Sequence, residues 1–97
     1  MTEEGAKTGI PVRLRPDRLV WRRAGSEVIA LDLERSEYLA ANGSAAHLWD
    51  ALVAGATPGE LASALCERFE IAPETARADV EKLVDQLGAA DLLVRTG

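Results

Sequence analysis

A change of hydrophobic period within residues 31–52 constrains the fold more than any other feature of this sequence. In its first half the apolar side chains alternate, as they do along a half-buried strand. In its second half the apolar residues recur at i, i+3, i+4 and i+7, the spacing of one helix face: Ala45, Leu48, Trp49 and Leu52. An edge strand therefore runs directly into an amphipathic helix. Such an edge can accept the backbone of another chain, so this run predicts a peptide-binding module before it predicts an enzyme.

Three strands precede that helix. Strand-like runs at 19–23, 27–33 and 37–41, of which the second alternates well, are separated by turn residues at 24–26 and 34–36, which predicts a three-stranded antiparallel meander. The middle run has two faces, one formed by Ile29, Leu31 and Leu33 and the other by Val28, Ala30 and Asp32.

Three helices complete the pattern. The first is capped by Asn42 or Ser44, the second opens with a capping box at 57–60, and the third starts at Pro73 and ends near Gly88. The second and third helices are predicted to bury Leu61, Leu65 and Phe69, and Ala76, Val80, Leu83 and Leu87, respectively.

Short extended segments at 12–14 and 92–94 flank this pattern. The predicted fold is α+β and winged-helix-like, with a three-stranded antiparallel sheet followed by three helices. A chain of 97 residues that is 47% hydrophobic can form one core without metal or disulfide support. We therefore expect a single domain at 11–97 after a disordered tail at 1–10.

Cysteine content and hydropathy predict the compartment. Cys66 is the only cysteine, so no intramolecular disulfide is possible, as is usual in a reducing environment. No run resembles a signal sequence or reaches membrane-spanning length. The sequence predicts a cytoplasmic protein without a membrane partner.

The charge distribution argues against nucleic acid as a partner. The net charge is −5, with +3 on residues 1–25 and −8 on residues 26–97. A winged-helix DNA-binding regulator needs a basic recognition helix to neutralise phosphates. Residues 73–91 instead carry five carboxylates against Arg77 and Lys82, which makes that function the weaker alternative.

Residues for covalent or metal chemistry are sparse. His47, the only histidine, lacks the nucleophile and orienting group of a catalytic pair, since Ser44 is better explained as a cap. One histidine and one cysteine do not make a metal site. A phosphate-binding glycine loop is also absent. The sequence therefore predicts no enzyme, no metal and no cofactor.

The large aromatic residues have different expected roles. Trp49 lies on the apolar face of the first helix and is expected in the core. Trp21 is equally compatible with the core and with an exposed sheet face. Tyr38 is expected to pack structurally with its hydroxyl at the rim, with a place in a partner groove as the alternative.

A family resemblance covers about residues 17–95. It is carried by Leu31-Asp32, Tyr38, Asn42, Ala46, Leu48-Trp49, Gly55, Thr57-Pro58-Gly59-Glu60, Asp79-Val80, Leu83, Leu87 and Leu92-Leu93. In this order and spacing the residues resemble the PqqD-like family, the small recognition elements that bind leader peptides of ribosomally made natural products. Two positions depart from the family pattern: Ser36 stands where glycine is common, and Ala41 where leucine is common.

The resemblance implies both a binding mode and partners. A leader peptide would add as a strand to residues 37–41, in a groove against the third helix. The implied contacts are Glu37, Tyr38, Leu39, Ala40 and Ala41 on the edge strand, and Val28, Ala30, Arg77, Val80, Glu81 and Val84 as pocket walls. Arg77 and Glu81 either contact the leader or pair with each other.

A stand-alone protein of this length resembles the version found in lasso-peptide biosynthesis. Its implied partners are the leader segment of a precursor peptide, a separate leader peptidase and a cyclase. The alternative within the family is a PqqD-type chaperone for the precursor of a redox cofactor.

Overall fold

The structure, a computed structural model, describes residues 9–95. Residues 1–8 of the predicted tail, and the last two residues of the predicted domain, lie outside the described residues. None of the described helices is long and apolar enough to cross a membrane.

Five strands and three helices follow one another along the described chain. They are β1 (Val12–Leu14), β2 (Leu19–Ala24), β3 (Glu27–Asp32), β4 (Glu37–Ala41), α1 (Gly43–Ala54), α2 (Pro58–Phe69), α3 (Pro73–Ala89) and β5 (Leu93–Arg95). Strands β2, β3 and β4 form one antiparallel sheet in that order, and β1 pairs with β5 in a separate ribbon. The predicted α+β fold is confirmed, although winged-helix-like describes it only loosely.

The hairpin between β2 and β3 fixes the register of the sheet. Gly25 and Ser26 form a two-residue turn, in which Gly25 has φ 63°, a conformation that glycine adopts without strain. Such a turn makes its flanking residues, Ala24 and Glu27, a hydrogen-bonded pair. The bond from the Leu33 amide to the Arg18 carbonyl oxygen, at 2.8 Å, continues the same alternation beyond the end of the strands.

The inner face of the sheet carries the side chains that reach the core. Val28, Ala30 and Asp32 of β3 are buried, whereas Ile29 and Leu31 are half-buried. Leu33, which follows the strand, is 51% exposed. The predicted two-faced pattern of this strand is therefore observed, and the helices cover the face that contains an aspartate.

Each helix start follows from its local sequence. Asn42 occupies the N-cap position of α1, but its side chain makes no capping hydrogen bond, and Pro73 occupies the first turn of α3. The predicted capping box of α2 is present: the Glu60 amide donates to Thr57 Oγ1 at 3.1 Å, and the Thr57 amide donates to Glu60 Oε1 at 2.8 Å.

Most predicted core residues are buried, with two differences. Trp49, Leu61, Leu65, Ala76, Val80 and Leu87 are buried as expected. Phe69, expected in the core, is 36% exposed, because it is the last residue of α2 and packs edge-on against the His47 ring instead. On α3 Val84 is buried, while Leu83 is half-buried at the margin of the core.

The two tryptophans meet edge to face with ring centroids 6.0 Å apart. Trp21 lies on the inner side of β2 but remains 37% exposed, so it combines both roles that the sequence left open. Tyr38 is 76% exposed, so the expected structural packing of this residue is wrong. Its position on the outer face of the edge strand leaves it without a layer to pack against.

Ser36, in the turn before β4, has φ 55°, which lies in the left-handed region. A side chain with a Cβ is strained there, so the structure gives a physical reason for a glycine at this position. We predict that Ser36→Gly raises the free energy of unfolding by about 0.5–1 kcal/mol in urea denaturation. The matched control is Ser26→Gly in the first turn, where φ is not positive. If both substitutions destabilise equally, the strain assignment is wrong.

Candidate functional site

The outer edge of β4 presents unpaired backbone groups. Because Glu27 and Ile29 pair with β2 through hydrogen bonds, the alternate residues of β3 must bond to β4. Their partners on β4 are Glu37, Leu39 and Ala41. The N–H and C=O groups of Tyr38 and Ala40 consequently point away from β3, toward the open edge.

The neighbourhood of that edge is open. Among the described elements, β3 alone makes extensive backbone contact with β4. Ala40 is exposed and small, so a second backbone can approach it closely. Tyr38 and Ala40 point outward from the sheet, while Leu39 is half-buried at the margin of the core on the inner side.

A depression on α3 lies just beyond the C-terminal end of β4. It has a volume of about 250 Å³, and it lies between the first turns of α1 and one flank of α3. Its lining residues are Ser44, Ala45, Leu48, Leu65, Asp79, Lys82, Leu83 and Gln86. Leu83 and Ala45 give it an apolar floor, and the charged side chains of Asp79 and Lys82 stand at its rim.

A buried arginine connects the other end of β4 to α3. The Arg18 side chain is only 6% exposed. Its guanidinium donates to the Asp91 carbonyl oxygen at 3.3 Å and to Asp91 Oδ2 at 3.1 Å, just after α3. On the sheet it lies 3.5 Å from Asp32 Oδ1 and 3.6 Å from Glu34 Oε2, at the turn that leads into β4.

The depression beside α1 and the contacts of Arg18 with Asp91 together show the direction of α3. The flank of α3 that reaches Gln86 lies against Ser44 and Ala45, a few residues after β4, whereas Asp91 is held near the turn that precedes β4. The C-terminal half of α3 therefore runs antiparallel to β4. We take the space between the open edge of β4 and this flank of α3 as the candidate site and call it the groove.

The electrostatic environment near Arg18 favours the ionised form of Asp32. Burial of this carboxylate opposes ionisation, but the amides of Arg35 and Glu34 donate to Oδ1 at 3.2 and 3.0 Å, and Arg18 adds its positive charge. The net effect lowers the pKa of Asp32 below its ordinary value of 3.8. The carboxylate thereby holds both the turn and the arginine.

The structure separates the predicted site residues into three groups. Glu37, Tyr38, Leu39 and Ala40 lie along the edge strand and line the open side, and Ala41 is buried at its end. Val28, Ala30 and Val80 are at most 1% exposed and lie in the core beneath the groove. Arg77, Glu81 and Val84 lie on the other flank of α3.

The depressions on that other flank are formed with α2, β1 and β5. Arg77 lines a depression with α2 residues such as Cys66, and Val84 lines one with β1 and β5. Glu81 shares the flank of Arg77 by its i+4 spacing. The six ion pairs among the described residues involve neither side chain, so of the two alternatives for Arg77 and Glu81 the mutual pairing is not formed. Peptide contacts of these residues stay predictions that this geometry does not favour.

The contacts predicted from the sequence do not include the flank formed by Asp79, Lys82 and Gln86. Both flanks border the buried stripe of α3 equally, so helical periodicity cannot choose between them. A partial signal existed in Leu83, an apolar residue at the border with this flank.

The opposite edge of the sheet is less suited to a peptide. On β2 the side chains of Trp21 and Arg23 turn toward α1, where Arg23 contacts the Ala46 carbonyl oxygen and Asp50 at 3.4 and 3.3 Å. Arg22 and Arg23 also place two charges on this strand, a common means of blocking edge pairing. β4 carries no positive charge.

Residues 9–95 contain no cluster of three His, Cys, Asp or Glu side chains that could hold a metal ion. His47 is exposed beside Phe69, and Cys66 is half-buried on α2. Neither lies in the groove beside β4.

Comparison with known proteins identifies the family. A family model described as coenzyme PQQ synthesis protein D (PqqD) matches residues 27–93, which span β3 to β5. The chain belongs to the PqqD family. The predicted resemblance to PqqD-like recognition elements is thereby confirmed. Among curated proteins, none matches the chain significantly.

Solved structures share the PqqD-family fold seen here. A lasso peptide synthetase B1 complexed with a leader peptide is 26% identical, with a TM-score of 0.74 over 86% of this chain and 96% of that chain. TbiB1 in complex with the TbiA(beta) leader peptide is 23% identical, with a TM-score of 0.77 over 84% and 93%. At that identity the second match shows the fold alone.

The lowered pKa of Asp32 makes a prediction for this PqqD-family protein. Because its pKa is lower in the folded than in the unfolded state, its contribution to stability is complete above pH 3.8 and is lost as the pH falls through the folded-state pKa. We expect Asp32→Asn to lower the free energy of unfolding near neutral pH. On acidification this variant should lose less of its free energy of unfolding than the wild type does. Urea denaturation as a function of pH tests this. If the free energies of unfolding of the two proteins fall equally steeply as the pH is lowered, the prediction is wrong.

Proposed function

We propose that this PqqD-family protein is a non-catalytic leader-peptide recognition protein. It binds the leader region of a ribosomally synthesised precursor, a lasso-peptide precursor, by strand addition to β4 beside α3. The observation that carries the proposal is the open edge of β4, with the outward backbone groups of Tyr38 and Ala40, beside the groove under α3. The similarity to a lasso peptide synthetase B1 that is complexed with a leader peptide supports the choice of ligand.

The two sources of affinity come from different parts of the groove. Hydrogen bonds to Tyr38 and Ala40 supply affinity that depends little on sequence, because they use the peptide's main chain. Alternate peptide side chains point inward, toward Leu39 and the depression lined by Leu83 and Gln86. This depression has room for one large side chain and supplies specificity.

The peptide must lose conformational freedom when it becomes a strand, so we expect dissociation constants in the micromolar to sub-micromolar range. The bound complex is then delivered to a separate leader peptidase, with a cyclase acting later. Binding in the cytoplasm is part of this proposal, because precursor and leader are made there on ribosomes.

Two alternatives are weaker. A PqqD-type chaperone of a redox-cofactor precursor would use the same edge, and the family match favours it as the second candidate. A DNA-binding regulator would present α3 to phosphates, but the exposed side chains of α3 include Glu74, Asp79, Glu81 and Asp85. Their charge opposes such binding.

The direct test is titration of a fluorescently labelled synthetic peptide with this protein. The probe is the leader encoded by the short precursor frame beside the gene, and a scrambled leader is the control. We expect saturable binding of the leader alone, with turnover absent. Failure of this leader to bind, together with binding of a cofactor-type precursor peptide, would favour the chaperone alternative.

The outward amide of Ala40 offers a test of strand addition. Ala40→Pro removes an N–H that faces the open edge, so the bonds between β3 and β4 remain and the fold is kept. We predict a loss of peptide affinity of about tenfold or more, from the missing donor and from the ring that blocks the incoming strand. Ala40→Val, which keeps the amide, is the matched control. Equal affinities of the two variants would show that β4 does not pair with the peptide.

The two flanks of α3 can be distinguished by placing the same ring on each. Gln86→Trp fills the depression beside β4, whereas Arg77→Trp places an indole on the flank beside α2. Both positions are exposed, so neither change should unfold the domain. We predict that Gln86→Trp weakens leader binding at least tenfold and that Arg77→Trp changes it less than threefold. If Arg77→Trp weakens leader binding more than Gln86→Trp does, the pocket walls predicted from the sequence are favoured instead.

A further inference from the structure

We propose that Arg18 is a positioning residue that sets the width of the groove between β4 and α3. This inference rests on the proposed function, but it concerns a residue outside the groove. Arg18 precedes β2, and its side chain is nine-tenths buried. No contact of a bound peptide with Arg18 is required.

Arg18 links the two walls of the groove, the β4 side and the α3 side, at one end. On one side its guanidinium meets Asp32 at 3.5 Å and Glu34 at 3.6 Å, the residues that border the turn into β4. On the other side it meets Asp91 Oδ2 at 3.1 Å and the Asp91 carbonyl oxygen at 3.3 Å, immediately after α3. The planar guanidinium fixes both directions at once, as the compact ammonium of a lysine cannot.

The backbone around Arg18 reinforces this point. The Arg18 amide donates to the Arg15 carbonyl oxygen at 3.1 Å, and its carbonyl oxygen accepts from the Leu33 amide at 2.8 Å. Arg15 also donates to Asp91 Oδ2 at 3.0 Å. The start of β2, the turn before β4 and the end of α3 therefore share one network.

The network matters for binding because its hydrogen bonds and ion pairs join the turn before β4 to the end of α3. β4 has extensive backbone contact with β3 alone among the described elements, so α3 is held beside it by the shared buried core and by the contacts of Arg18. If the tether is weakened, the walls sample other separations. Apparent affinity then falls with the fraction of molecules that keep the competent width.

Asp91→Asn is the variant that weakens this contact, because it removes the negative charge that Arg18 and Arg15 share and keeps the Asp91 carbonyl oxygen. The Asp91 carboxylate is 68% exposed, so its loss should cost little stability. The residue has φ 61°, and asparagine tolerates this left-handed conformation as well as aspartate does. The matched control is Asp17→Asn, which removes an equally exposed partner of Arg15, at 3.2 Å, and touches neither wall.

The experiment has two readouts. Spin labels on Glu37→Cys and Gln86→Cys, in a Cys66→Ala background, report the distance between the walls in the free protein. Titration of the synthetic leader into the unlabelled variants reports affinity, and urea denaturation reports stability. We expect Asp91→Asn to broaden the distance distribution and to weaken leader binding about three- to tenfold, at nearly unchanged stability.

We expect Asp17→Asn to match the wild type in all three measurements. A distance distribution of Asp91→Asn that equals that of Asp17→Asn would overturn the role of Arg18. A broadened distribution in Asp91→Asn supports that role by itself, because it is measured without peptide. If the wild type then fails to bind the leader, it is the proposed function that fails.

Discussion

The two-residue turn at Gly25 and Ser26 is the constraint on which the binding edge depends. It makes Ala24 and Glu27 a hydrogen-bonded pair, and this alternation propagates residue by residue through β3. It leaves the backbone groups of Tyr38 and Ala40 facing outward. A turn one residue longer would shift the phase and exchange the faces of β3, so that Ile29 and Leu31 would replace Val28 and Ala30 in the core. A turn distant from the groove therefore decides which amides a peptide meets.

The sheet by itself does not make a groove, because a free edge without a second wall also pairs with unrelated strands. α3 provides that wall, and two contacts of different chemistry position it. At one end it packs through apolar side chains, including Leu83, against α1 and α2. At the other end, the charges around Arg18 hold it beside the buried Leu87 and Leu92.

The amino-acid pattern predicts the elements well, because each has a local cause. Alternation in 27–33, the capping box at Thr57 and Pro73 at a helix start depend on neighbours a few residues away, and all are observed. The strain at Ser36 is local as well, because the sequence already shows a serine where the family commonly has glycine. The tether at Arg18 could not be predicted in this way. Its partners Asp32 and Asp91 lie 14 and 73 residues further along the chain, and an arginine before a strand ordinarily indicates a solvated side chain.

The choice between the flanks of α3 illustrates the same limit at the site itself. Periodicity identifies the buried stripe of Ala76, Val80 and Leu87, but the stripe has a border on each side. Which border meets β4 depends on the direction in which α3 crosses the sheet, and the contacts at its two ends determine that direction.

The fixed position of α3 has a thermodynamic consequence for the binding of a flexible peptide. The peptide loses conformational entropy on docking, so measurable affinity requires that the receptor lose little more. A groove held at both ends before binding meets that requirement, and a groove held at one end does not.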